Sequence, residues 1–81
     1  MENKTYAILQ REININTGDI YVSVSKVGTK DMLIDDISYC KLRSQFNPEL
    51  TYFLTFEEYA DIVKKMLENK EVKSNNLYGK I

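Results

Sequence analysis

The chain contains no histidine. That removes the commonest general base and the commonest metal ligand together. Cys40 is the single cysteine, so no intrachain disulfide and no cysteine-based metal cluster can form. The three glycines, Gly18, Gly28 and Gly79, stand far apart and make no phosphate-cradling loop. Long apolar runs are missing too. Tyr6-Ala-Ile-Leu9 is typical, against the roughly 20 residues a helix needs to cross a bilayer. The opening Met-Glu-Asn-Lys has no basic stretch leading into a long apolar one, so no secretory leader and a cytoplasmic location are expected. Neither sign of charge dominates: 11 basic and 12 acidic side chains leave a net charge of −1. A strongly basic nucleic-acid binder and a polyacidic mimic are therefore both disfavoured as descriptions of the whole molecule.

What is present fits one small globular domain. Of the 81 residues, 43% are hydrophobic and 28% charged, a composition that folds rather than stays disordered. A domain of this size buries only about 60–65% of its unfolded surface, so self-association would help it. Residues 5–15 are rich in strand formers, with Ala7, Leu9, Ile13 and Ile15 on one parity and Arg11 the exception. Asn16-Thr-Gly-Asp19 supplies turn chemistry, and Ile20, Val22 and Val24 then alternate with Tyr21, Ser23 and Ser25. This predicts a hairpin of 5–15 with 19–27. Gly28-Thr-Lys-Asp31 reads as a second turn and residues 32–42 as a third strand, its alternation broken at Asp35-Asp36. Pro48 places a loop at 43–49, and Leu50–Leu54 reads as a short fourth strand.

Thr55-Phe-Glu-Glu58 has the form of a capping box, and Phe56, Tyr59, Ile62, Val63, Met66 and Leu67 follow at helical spacing. A helix from 56 to about 69 is predicted, with Phe53, Phe56 and Tyr59 packing between strand and helix. The expected fold is α+β: a four-stranded antiparallel sheet of two hairpins followed by one C-terminal helix (ββββα), a single domain over 1–69, assembled as a homodimer. Residues 70–81 are expected to be a polar tail, flexible or docked on a partner. One helix covers only part of one sheet face, so the other face is left for solvent, a second subunit or a ligand.

This order, with Tyr21-Val-Ser-Val24, Leu33-Ile-Asp35 leading to Tyr39, and Leu54-Thr-Phe-Glu-Glu-Tyr59, resembles the single-stranded-DNA-binding transcriptional coactivator family (positive cofactor four and its small bacterial relatives). The resemblance covers roughly residues 5–69. It implies a curved two-hairpin sheet, a homodimer and a platform for unpaired strands. On such a platform cations track the backbone while aromatic rings stack on bases. The candidates are Tyr21, Lys26, Lys30, Tyr39, Lys41, Arg43 and Tyr52, with Tyr39, Lys41 and Arg43 on one face of the third strand.

Other constellations read as structural. Asp35-Asp36 and Glu57-Glu58 are neighbours whose side chains diverge on either a strand or a helix, so neither pair converges on one proton or ion. Cys40 has no histidine to activate it. No enzymatic activity, cofactor, metal or membrane association is expected. The leading expectation is a single-stranded nucleic-acid-binding, transcription-regulator-like protein. The alternative is a protein-binding inhibitor or regulator working through a sheet edge or a helix face, by analogy with small phage-encoded inhibitors of host enzymes or defence complexes.

Overall fold

The computed structural model describes residues 4–72 and 76–81. Strand β1 (Thr5–Ile13) turns into β2 (Ile20–Thr29), helix α1 (Lys30–Phe46) leads to β3 (Leu50–Phe56), and α2 (Ala60–Leu67) leads to β4 (Tyr78–Lys80). The sheet is four-stranded and antiparallel, in the order β2-β1-β3-β4. The first hairpin forms near where the alternation placed it, as 5–13 with 20–29 rather than 5–15 with 19–27, so Gly28 and Thr29 end β2 instead of making a turn. Its turn is held by Asn14, whose Oδ1 accepts from the amides of Asn16 and Thr17 at 2.9 and 3.2 Å. Gly18 takes φ +79° there, a conformation a side chain would resist. Ile8 faces Lys26 and Leu9 faces Val24, so Ser25 is an extra residue and the ladder carries a bulge.

The largest departure from expectation is residues 32–42. They are not a third strand but the middle of α1, and the order is ββαβαβ rather than ββββα. Thr29 caps this helix, its Oγ1 accepting from the Met32 amide at 3.4 Å. Asn47 closes it, donating from both its backbone and its side-chain nitrogen to the Arg43 carbonyl at 2.9 and 2.8 Å. Leu33, Ile37 and Cys40 recur at four and three residues and point inward, and the break in strand parity at Asp35-Asp36 is simply helical geometry. Gly28 lets the helix approach the sheet: a Cβ there would stand 3.3 Å from the Cβ of Met32.

The sheet is therefore buried on both faces. On one, Ile8, Leu50 and Tyr52 pack with Leu33 and Cys40 of α1. On the other, Leu9, Val22 and Phe53 pack with Val63 and Leu67 of α2. Alternation along β1 and β3 sends consecutive residues into the two cores, which is why Ala7, Ile8 and Leu9 are all fully buried. The face left over for solvent or a ligand in the single-helix reading is the face α1 covers. Arg11, out of place as a strand residue, closes α2: its Nε donates to the Leu67 carbonyl at 2.7 Å and its Nη2 to Asn69 at 3.0 Å. A cation at a helix C-terminus satisfies carbonyls the helix itself leaves unpaired.

Three further expectations are corrected. Thr55 does not cap a helix; β3 continues through Phe56, and the Thr55 hydroxyl donates to the Leu77 carbonyl. A single 3-10 turn, Glu57–Tyr59, then precedes α2, which has no side-chain cap and is shorter than the predicted 56–69. The 70–81 segment is not wholly a tail outside the domain: β4 pairs with Phe53–Thr55, and Leu77, Tyr78 and Ile81 pack against the two cores. Residues 73–75 of that segment lie outside the described residues.

Candidate functional site

The seven residues expected to form a nucleic-acid platform are not brought together on one surface. Tyr52 is 1% exposed, sealed between β1 and α1, with its hydroxyl donating to Gln10 Oε1 at 2.8 Å; neither face of its ring is open to a base. Tyr39, Lys41 and Arg43 sit on α1 rather than on a strand. At about 100° per residue, Tyr39 and Arg43 stay neighbours one turn apart, while Lys41 rotates to another side of the helix. Lys26 is engaged by Asp36 at 3.0 Å, which offsets its charge locally. Lys30 is the first residue of α1, and Tyr21 stands exposed on the edge strand β2.

Cys40 is buried, and its thiol pKa is pushed up, first by burial and then by the nearby Asp36 carboxylate, with Arg43 opposing. A thiol held protonated is a poor nucleophile. Glu57 and Glu58 are exposed in the 3-10 turn. Among the described residues no three His, Cys, Asp or Glu side chains are grouped to share a metal ion. A groove of about 380 Å³ opens between α1 and the β3–β4 edge, lined in part by Tyr6, Ile37, Lys41, Leu54, Phe56 and Ile81. Among the described residues its lining includes no Asp or Glu side chain beside Lys41. Tyr6 and Phe56 at its rim stack on each other at 4.9 Å. No helix among the described residues is long and apolar enough to cross a membrane.

One surface stands out that the sequence reading missed. The outer side of α1 is apolar: Met32 is 62% exposed, Tyr39 60%, Leu42 52% and Phe46 77%. These four, with Asp35, follow the three-then-four spacing of a heptad seam, at 32, 35, 39, 42 and 46. Helical geometry places them along one stripe opposite Leu33, Ile37 and Cys40. Scattered exposed apolar residues are ordinary, but four large ones aligned along a 17-residue helix form a strip about 21 Å long, interrupted only by Asp35. The signal in the sequence is the doubled apolar pattern between Gly28 and Pro48, one stripe for the core and one left over.

The chain matches no known protein-family model, no curated protein and no solved structure.

Proposed function

We propose that this chain is a non-enzymatic protein-binding module that associates through the outer face of α1. The observation that carries the reading is the solvent-facing strip of Met32, Tyr39, Leu42 and Phe46. A monomeric domain gains nothing from four large apolar side chains held rigidly in water, whereas a helix presenting anchors at such spacing is a recurrent way for one protein to hold another. The rim suits the purpose: Asp36 and Arg43 flank the strip and supply orientation, while between them Tyr39 and Leu42 are apolar and Asp35 is the one charged residue in the strip.

The single-strand-binding alternative asks for clustered cations and open rings. Tyr52 is in the core, Lys26 is paired, and Asp31, Asp35 and Asp36 put carboxylates beside the remaining candidates on α1. Fluorescence anisotropy of a labelled single strand of about 20 nucleotides, at 50 and 200 mM salt, separates the two classes. The protein-binding reading predicts no binding at either salt up to tens of micromolar protein. Micromolar binding that weakens with a log–log salt slope near −0.7 per phosphate, and that Arg43→Ala reduces, would overturn it.

A further inference from the structure

Resting on that reading, we infer that the occupant of the α1 strip is α1 of a second copy of this chain, packed antiparallel across a two-fold axis. The charges beside the strip decide both the partner and the direction. Asp36 and Arg43 lie seven residues apart on the same flank. When the two-fold axis passes between Tyr39 and Leu42, that flank meets itself in reverse. Asp36 of each copy then faces Arg43 of the other, giving two symmetric ion pairs from one surface. At the same register Tyr39 packs on Leu42 of the second copy, and Leu42 on its Tyr39, so the apolar centre is self-complementary as well. Asp35, the one charged residue in the seam, falls at the ends of the contact opposite Phe46 of the second copy, where its carboxylate stays within reach of water. A parallel pairing would instead set Asp31 against Asp36, two like charges. The helix dipoles also favour the antiparallel arrangement.

The local geometry tolerates this role for Asp36. It holds Lys26 through one carboxylate oxygen at 3.0 Å and is a third exposed, which leaves acceptor capacity for a guanidinium from outside. A single helix pair covers less than the ~800 Å² per partner of a standard interface, so the dimer is expected in the micromolar range.

Sedimentation equilibrium tests the pairing with two charge-reversed chains, Asp36→Lys and Arg43→Glu. Each alone sets like charges across the two-fold axis and is expected to dimerise at least tenfold more weakly than the wild type. Mixed one to one they regain both attractive pairs, and dimer is expected to return to near wild-type levels. Circular dichroism of each variant checks that the helix content is unchanged. A wild-type chain that stays monomeric to millimolar concentration overturns the inference. So does a dimer that neither variant weakens or that mixing does not rescue. A monomer of this kind leaves the α1 strip open to a different protein, so failure here is distinguishable from failure of the functional reading.

Discussion

Replacing Tyr52 with alanine is expected to lower stability by about 3–5 kcal/mol, the range for emptying a buried aromatic site. Tyr52 is among the largest fully buried side chains, and it packs with Ile8, Leu33, Cys40 and Leu50 in the core beneath α1. No neighbour is free to fill the space, because Ile8 is pinned in the central strand and Leu33 on the helix. For a domain of this size such a loss lowers the melting temperature by roughly 15–30 °C, readable by circular dichroism. Tyr52→Phe keeps the ring and loses only the bond to Gln10, so about 0.5–1.5 kcal/mol is expected. A pH effect accompanies it. Burial pushes the Tyr52 hydroxyl above its ordinary value of 10.0. The folded state thus holds that proton more tightly than the unfolded chain does. The contribution is fully present below pH 10, is lost as pH rises through the folded value, and is absent in Tyr52→Phe. An alanine variant as stable as the wild type would mean that α1 does not seal this face.

Ending the chain at Val72 is expected to remove about half of the stability of the fold. Three partly buried side chains, Leu77, Tyr78 and Ile81, leave the two cores. The ladder bond from the Ile81 amide to the Tyr52 carbonyl goes with them. Thr55, only 3% exposed, loses the Leu77 carbonyl that accepts from its hydroxyl. Partial burial of three apolar side chains and one stranded hydroxyl together come to on the order of 5 kcal/mol. The whole stability expected of 81 residues is about 4–12 kcal/mol, so the loss takes a large share of it. Urea unfolding of the truncated and full chains reads the difference, and Thr55→Val in the full chain isolates the share of the hydroxyl. A truncated chain that keeps its midpoint would show that β4 is an ornament on a three-stranded sheet.

Much of the sheet is legible in the sequence because its signals are local. Alternation through Ile20, Val22 and Val24, with Gly18 in the turn, is sufficient for the hairpin. The short run at Leu50–Leu54 finds most of β3, whose true end is Phe56. The region from Lys30 to Phe46 is not legible by the same means. Met32, Ile34, Tyr39 and Leu42 are apolar but exposed, so the inward stripe of Leu33, Ile37 and Cys40 does not stand out. The clues that favour helix are weaker. There is no Gly or Pro between Gly28 and Pro48, Asp31 lies in the first turn, and Arg43 lies in the last. Thr55 failed for a different reason. Its hydroxyl is claimed by a carbonyl 22 residues later, a partner that no capping pattern reveals. The candidate site inherits the first error. Tyr39, Lys41 and Arg43 share a face on a strand and divide on a helix, and the same change of geometry creates the apolar strip.

The most direct test of the docking face is site-specific photo-crosslinking. A benzophenone side chain is placed at Leu42, on the outer strip of α1, or at Lys64, exposed on α2, and illuminated both in the expressing cell and in the purified protein. The account predicts a discrete protein adduct from position 42 and none from position 64, with the adduct lost when Tyr39 and Phe46 are changed to serine. Equal labelling from both positions, or an adduct indifferent to those serines, would contradict it.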